Sequence, residues 1–351
     1  MTDAPMMNGP DRSTRSGKRK GPFWLKLGVT VVVLGILLWT LDVSALPGLI
    51  AGADVRLLLL LLASLFVERV FAAYRWWVLL RPNAPGLPFA PVLRISFISN
   101  YLGAFMPGGV GIDMLRVWGL SRHASDLPLA LSSIVVERIF GLAGMFALIP
   151  VGLLMAPVGL PWEVEILLVL AAGGLVLASV ALYLKSVRRL ARRVLLAVKP
   201  LHRLNTALGG ITGKLDAYAR VPWTLVYSAL LGCVNQLLRA VSFVIGGWAL
   251  GLSIDPGLLV AIVPIAILVA LLPISFGGLG PREATFVGLL GVAGVAPAGA
   301  FALILVREAL NLLTALPGAW LFFRHGASIK AAPMAAGDDF AVGLAASSAD
   351  R

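Results

Sequence analysis

The chain has 351 residues, of which 59% are hydrophobic and only 13% charged, with a mean hydropathy of +0.93 and a formal net charge of +12. Soluble domains have an apolar share nearer half and about twice this share of charge, so the composition excludes a soluble globular protein. The positive charge does not indicate a nucleic-acid partner, because the basic residues are concentrated beside apolar segments, as in the cytoplasmic loops of membrane proteins.

Apolar runs of about 20 residues are long enough for a helix to cross the hydrocarbon core of a bilayer, and they predict an all-α polytopic membrane bundle. Six full crossings are predicted, at residues 23–41, 57–80, 127–150, 166–184, 223–250 and 297–323. Two further segments, residues 94–122 and 257–295, are interrupted by glycines and prolines and predict re-entrant helical hairpins. Lipid tolerates broken backbone only where it is buried in protein or lines a cavity.

The distribution of basic residues predicts which side of the membrane each connection lies on. Residues 1–22 are predicted to be a disordered basic cytoplasmic tail, residues 23–324 the transmembrane domain, and residues 325–351 a second disordered cytoplasmic tail. The loop at 185–221 carries nine lysines and arginines and is predicted to lie on the cytoplasmic headgroups, with a dedicated site for anionic lipid or a partner as the alternative. Arg75 with Trp76-Trp77 is interpreted as marking the exit of the second crossing at the membrane interface. The protein is therefore expected in the bacterial inner membrane with both termini cytoplasmic.

The first crossing has a second possible interpretation. Its basic flank and the triplet Val43-Ser44-Ala45 are also typical of a cleaved signal peptide. Its apolar stretch is longer than the usual signal-peptide core, which favours a retained anchor.

The sequence contains an internal repeat, in which three marks recur at an almost constant spacing. Gly108-Gly109-Val110-Gly111 recurs as Gly277-Gly278-Leu279-Gly280, Val136-Glu137-Arg138 is matched by Val306-Arg307-Glu308, and Glu68-Arg69 is matched by Asn235-Gln236. Residues 57–150 and 223–323 thus form two halves, each a crossing, a hairpin and a crossing. The predicted hairpins enter from opposite faces, a pattern associated with alternating-access transporters whose site lies near the midplane.

Charged residues lie deep inside the predicted crossings, at a cost of about 2.5 to 3.5 kcal/mol each on insertion scales. Three adjacent pairs, Glu68-Arg69, Glu137-Arg138 and Arg307-Glu308, are the clearest. Neighbours point about 100° apart on a helix, so bonds across helices are expected rather than bonds within each pair. Two roles are open for these charges, an ion-pair network that stabilises the bundle and direct contact with substrate. For the intramembrane amides, hydrogen bonds between helices are expected.

The helices that follow the two glycine clusters are predicted to begin at membrane depth, where their amino-terminal N–H groups and positive dipole ends would favour an anion such as a lipid phosphate. The predicted substrate-binding residues are Asn100, Gly108, Gly109, Gly111, Asp113, Arg116, Glu137, Arg138, Ser275, Gly277, Gly278, Gly280, Arg282, Glu283, Arg307 and Glu308. The predicted supporting polar residues are Glu68, Arg69, Gln236, Arg239 and Asn311. No catalytic residue, metal or cofactor is predicted, because the three histidines fall in separate connecting segments and the single cysteine lies in an apolar run.

The residues around the interruptions resemble a known family. They are Asn100-Tyr101, Pro107 to Asp113 with Arg116, Glu137 to Gly141, Pro273 to Glu283, and Pro317-Gly318. This pattern resembles the flippase-like family named for the transmembrane domain of lysylphosphatidylglycerol synthase, found in multiple peptide resistance factor proteins and in stand-alone proteins, over roughly residues 20 to 325. The resemblance implies a bundle with re-entrant helices that translocates lipid. Only a short segment follows Phe323, so no soluble aminoacyl-transferring domain is expected.

These observations lead to a functional prediction with two alternatives. The prediction is a lipid flippase, not an enzyme, that moves a phospholipid, an aminoacylated phospholipid or a polyprenyl-phosphate-linked lipid between leaflets. The first alternative is a non-transporting scaffold for a separate lipid-modifying enzyme. The second is an intramembrane transferase with Glu137 or Glu308 as base, which no nucleophile–base or metal motif supports.

Overall fold

The structure is a computed structural model that describes residues 46–104, 110–124, 126–156, 159–181, 221–271 and 280–325, together with residues 28, 32, 35, 44, 214 and 218. The described ranges are helical apart from short turns, which confirms the all-α prediction for them. Their helices are α1 (Leu46–Ala51), α2 (Val55–Leu80), α3 (Phe89–Gly103), α4 (Val110–Ala124), α5 (Leu127–Phe146), α6 (Leu148–Met155), α7 (Trp162–Ala181), α8 (Pro222–Ala249), α9 (Pro256–Leu271), α10 (Pro281–Val292), α11 (Pro297–Leu313) and α12 (Leu316–His325).

Five stretches of the described chain are long and apolar enough to cross a membrane. They are Val55–Leu80, Leu127–Met155, Trp162–Ser179, Val226–Ala249 and Pro297–Arg324. They match the second to sixth predicted crossings, so a multi-pass membrane protein is confirmed. The predicted first crossing and both predicted tails lie almost wholly outside the described residues, and the count of six crossings stays a prediction.

Two of these crossings are bent at a proline. Pro150 has no N–H to donate to the carbonyl of Phe146, four residues earlier, and its ring crowds that carbonyl. α5 ends at Phe146, and α6 continues from Leu148. The second bend has the same cause: Pro317 follows Leu313 by four residues, and Leu313 is the last residue of α11. Each crossing therefore ends in a short helix set off from the longer one.

The helices form one interlocked bundle. α2 packs along α8, and each of these two also contacts α5 and α11. α3 packs against α4 and α9 against α10, so the arms of each predicted hairpin are in contact. The short helix α6 packs on α9, and the short helix α12 packs on α3. α7 lies at the edge of the bundle with Leu167, Leu170 and Leu177 largely exposed, which is typical of a face turned to lipid.

The contact between α12 and α3 depends on a glycine, which gives a testable consequence. A Cβ at Gly318 would collide with the backbone carbonyl of Phe97, whereas a Cβ at Gly174 on α7 would meet nothing. We expect Gly318→Ala to destabilise the protein by about 1 to 3 kcal/mol, the usual cost of overpacking. Gly174→Ala is expected to be neutral or to stabilise by up to about 1 kcal/mol, because alanine favours helix.

Thermal unfolding of the purified variants in detergent measures both changes. An equal melting temperature for Gly318→Ala and Gly174→Ala would contradict the close packing of α12 on α3.

Candidate functional site

A cavity of about 390 Å³ lies between α2, α3, α8, α9, α10 and α11. Its volume is within the range of small-molecule sites, roughly 300 to 1,000 Å³. One part of its wall is apolar and is formed by Leu65, Ala72, Phe243, Val263, Ala266, Ile267, Ala270, Phe286 and Ile304. The polar part is formed by Glu68, Arg69, Asn100, Arg239, Arg282, Glu283, Arg307, Glu308 and Asn311. The cavity can therefore hold a molecule that has both an apolar and a charged portion.

Glu68 on α2 is the centre of the ion pairs on one side of the cavity. Its two carboxylate oxygens accept hydrogen bonds from Arg239 Nε on α8 at 2.7 Å and from Arg307 Nη2 on α11 at 3.0 Å. Arg307 Nε also donates to Ser242 Oγ at 2.9 Å, and its guanidinium lies 4.5 Å from the ring centre of Phe243. Three crossings are joined by these contacts, with both charges of the Glu68–Arg307 pair buried.

A second group of charges links α10 to α11. Arg282 Nη2 lies 2.6 Å from Glu283 Oε1 and 3.4 Å from Glu308 Oε1. Glu308 Oε1 is also 3.5 Å from Arg307 Nη1, so the two groups are continuous. Arg282 and Glu308 are each about one-third exposed, since both side chains border the cavity.

Arg69 is bound differently from the other three arginines of the cavity. Its Nε donates to Thr314 Oγ1 at 2.8 Å, and its Nη2 donates to Asn311 Oδ1 at 2.9 Å and to the Asn311 carbonyl at 3.2 Å. All three acceptors are neutral, and no carboxylate of the described residues forms a salt bridge with Arg69. Among the described residues, the cavity wall therefore holds four guanidinium groups and three carboxylates, which leaves one positive charge uncompensated.

A separate charged network lies between α2, α4 and α5 and does not border the cavity. The buried carboxylate of Glu137 lies 2.9 Å from Arg75 Nη2 and 2.8 Å from Arg116 Nη2. Arg138 Nη2 lies 2.6 Å from Asp113 Oδ2, near the outside of the bundle. The carboxylates and guanidinium groups of this network contact one another.

The predicted site residues fall into three groups. Those that border the cavity are Asn100, Arg282, Glu283, Arg307 and Glu308, together with the supporting residues Glu68, Arg69, Arg239 and Asn311. Those that do not border it are Gly111, Asp113, Arg116, Glu137, Arg138, Gly280 and Gln236. Those that lie outside the described residues are Gly108, Gly109, Ser275, Gly277 and Gly278.

Bonding across helices is confirmed for most of the adjacent charge pairs. Glu68 and Glu137 take their partners from other helices. The expectation was incomplete for Arg307 and Glu308, which also contact each other at 3.5 Å. For the amides, Asn311 accepts from Arg69 on α2 as predicted. Asn100 donates to the Ser96 carbonyl on its own helix.

Arg75 and Trp76, which with Trp77 were interpreted as marking the exit of a crossing, have side chains that contact other helices. The Trp76 side chain is fully buried, and its Nε1 donates to Ser133 Oγ on α5 at 3.1 Å. The Arg116 guanidinium stacks 4.1 Å from the Trp76 ring centre. Both residues belong to the Glu137 network, because helix packing at this end of α2 encloses their side chains in protein.

The amino terminus of α10 is partly occupied by the protein itself. The Gly280 N–H donates to Glu283 Oε2 at 2.7 Å, and α4 similarly carries Asp113 in its first turn. Unsatisfied N–H groups and the positive dipole end of a buried helix terminus are energetically costly, and a nearby carboxylate stabilises them. The sequence predicted free N–H groups from Pro281 onward, and the bond of Gly280 lies just before these residues. Side-chain guanidinium groups are the more accessible positive groups of the site.

Lys214 and Tyr218 of the basic loop are described, and both contact the bundle. Lys214 Nζ lies 2.6 Å from Asp126 Oδ2, just before α5. Tyr218 is fully buried beside Leu79, Val136 and Phe140, and this burial raises the pKa of its phenol. This part of the loop therefore covers the bundle next to the Glu137 network.

Comparison with known proteins agrees with this architecture. Residues 23–318 match the family described as the lysylphosphatidylglycerol synthase TM region. The chain belongs to this family. A "UPF0104 membrane protein" of Methanothermobacter thermautotrophicus is 27% identical over 250 residues, which cover 63% of this chain and 69% of that protein. No solved structure matches the chain. The family assignment confirms the resemblance inferred from the glycine-rich interruptions and is consistent with a lipid-related role in a membrane.

Proposed function

We propose that this protein is a flippase that moves a lipid with a phosphate headgroup between the two leaflets by alternating access. The observation that carries the proposal is the cavity, which is bordered by three helices from stretches of membrane-spanning length and has an apolar wall and one uncompensated positive charge. A headgroup phosphate would bind the charged wall, while the acyl or prenyl tails would stay in lipid. A phospholipid, an aminoacylated phospholipid and a polyprenyl-phosphate-linked lipid all carry this combination.

The packing pattern supports the two-fold repeat that alternating access requires. When α2 to α6 are exchanged for α8 to α12, the contacts of one half become those of the other. The contact of α6 with α9 becomes that of α12 with α3, and the contact of α5 with α8 becomes that of α11 with α2. The helix-breaking prolines also recur at the repeat spacing. Pro317 follows Pro150 by the same number of residues as Asn235 follows Glu68. Exchange of this kind is expected when two halves are related by a pseudo-two-fold axis.

The ion pairs of the two halves are also equivalent, but with their signs reversed. Asp113 and Arg138 form a pair between α4 and α5. Their equivalents under the repeat, Arg282 and Glu308, form the corresponding pair between α10 and α11. Random placement of charges in two apolar helix pairs would not produce this match. It supports equivalent roles for the two pairs.

The difference between the equivalent pairs suggests how access alternates. In the first half, Asp113 and Arg138 are 2.6 Å apart and do not border the cavity. In the second half, Arg282 and Glu308 are 3.4 Å apart and border the cavity. We propose that the opposite-facing state reverses this arrangement, with the first half opened and the second closed. The headgroup would cross the midplane between the two networks.

A transport assay with a cavity-filling variant tests the proposal. Ala72 borders the cavity, whereas Ala63 is an exposed residue of the same helix. In proteoliposomes, we expect the wild-type protein to move at least one labelled phospholipid or polyprenyl-phosphate lipid. Ala72→Phe is expected to lower that rate at least about tenfold because the ring would occupy the cavity, while Ala63→Phe leaves it unchanged.

Failure of every tested lipid to cross with folded wild-type protein would contradict the proposal and favour the scaffold alternative. Equal rates for Ala72→Phe and the wild type would show that the lipid takes another path.

A further inference from the structure

We propose that Arg69 is the residue that binds the headgroup phosphate, and that it gives the cavity a preference for lipids with a single negative headgroup charge. This inference rests on the proposed function and adds to it a specificity-determining residue and a substrate class. The sequence indicated Arg69 only as a supporting residue.

Arg69 is held in place without being neutralised. Thr314 and Asn311 accept hydrogen bonds from its Nε and Nη2, and both acceptors lie at the end of α11. The adjacent carboxylate of Glu68 is bonded to Arg239 and Arg307 instead. The guanidinium is therefore fixed by neutral oxygens and keeps its full positive charge.

The remaining donors of Arg69 are free to bind a ligand. Nη1 makes no hydrogen bond to any described residue, while the side chain borders the cavity. A guanidinium presents paired N–H groups whose spacing matches two oxygens of a phosphate. Because a half-buried charge without a counter-ion is costly, a bound anion would relieve that cost.

The other arginines of the cavity are poorer candidates for the same role. Arg239, Arg282 and Arg307 each have a carboxylate partner within 2.6 to 3.0 Å. An anion that approached them would have to compete with that carboxylate. One free guanidinium therefore matches one negative charge, and a second charge on the headgroup would face Glu68, Glu283 or Glu308 without compensation.

Binding of two short-chain lipids to the purified full-length protein tests the proposal. The probes are dihexanoyl phosphatidylglycerol, whose phosphate carries one negative charge, and dihexanoylglycerol, which has the same tails and no phosphate. The wild type is expected to prefer the first, and Arg69→Gln to lose about tenfold in affinity for it, about the size of one charge-assisted contact, and to lose the preference. Arg69→Lys is expected to retain the preference because it keeps the charge.

The matched control is Arg56→Gln, which removes a charge from an exposed position on the same helix. It should leave both affinities unchanged. An Arg69→Gln variant that is as stable as the wild type and keeps its preference for phosphatidylglycerol would overturn the proposal. A purely structural role would lower both affinities together, which would also overturn it.

This test is separable from the test of transport. If the wild type binds with the expected preference but transports no lipid, the binding role of Arg69 stands and the flippase proposal fails. If the wild type transports lipid and Arg69→Gln has the same headgroup preference in transport, the flippase proposal stands and the role of Arg69 fails.

Discussion

Glu137→Gln is expected to prevent most of the protein from accumulating in a folded form. The Glu137 side chain is only 6% exposed and is the shared counter-charge of Arg75 and Arg116, which are 13% and 11% exposed. Its neutralisation leaves the buried Arg75 guanidinium without a carboxylate and Arg116 with only the 3.9 Å contact to Asp113, at a cost of about 3 to 5 kcal/mol. Since total stability is about 5 to 15 kcal/mol, this loss is large. Folded yield and thermal unfolding in detergent measure it.

Two comparisons separate this effect from a general sensitivity to substitution. Asp113→Asn should cost less, because its partner Arg138 is 51% exposed and Arg116 keeps its 2.8 Å contact with Glu137. Adding Arg75→Gln to Glu137→Gln should recover part of the lost stability by removing one of the unpaired charges. A Glu137→Gln protein with wild-type yield and melting temperature would show that the network is not essential to the fold.

Locking the first-half ion pair is expected to abolish transport completely. In a Cys233→Ser background, Asp113→Cys and Arg138→Cys together remove both charges of one pair, so neither is left alone. A short, reducible thiol cross-linker would then hold α4 against α5 in the closed arrangement. Alternating access requires this contact to open, so lipid movement in proteoliposomes should fall to the protein-free rate and return after reduction.

The single-cysteine variants, treated with the same reagent, control for modification alone. They should transport at the rate of the untreated double variant. Transport that continues at full rate with α4 and α5 quantitatively cross-linked would contradict the proposed exchange between the two halves.

Much of the helical organisation could be predicted from sequence because lipid imposes simple requirements. A crossing needs about 20 apolar residues, and charges beside it define its ends, so five predicted crossings match described spans. The proline bends could also have been predicted, since Pro150 and Pro317 each break the helix at the residue four positions earlier. The short helices α6 and α12 were nevertheless missed, because each was read as part of a continuous crossing.

The partners of the buried charges could not be predicted in the same way. Depth in the membrane indicated Glu68, Glu137 and Arg307 as unusual, but sequence does not determine which guanidinium reaches which carboxylate. Arg75 illustrates the difficulty, because its position beside two tryptophans is typical of an interface, and only tertiary packing brings it to Glu137. Arg69 forms no salt bridge with Glu68 among the described contacts, and this likewise depends on Arg239 and Arg307, which reach Glu68 from two other helices.

The central claim is that a lipid headgroup enters the charged cavity, and an electron cryomicroscopy structure of the protein in nanodiscs containing phosphatidylglycerol tests it most directly. We predict phosphate density within hydrogen-bond distance of Arg69, with the tails leading away along the apolar wall of α8 and α9. Structures in which aliphatic side chains fill the cavity and exclude the headgroup in every resolved state would contradict the claim.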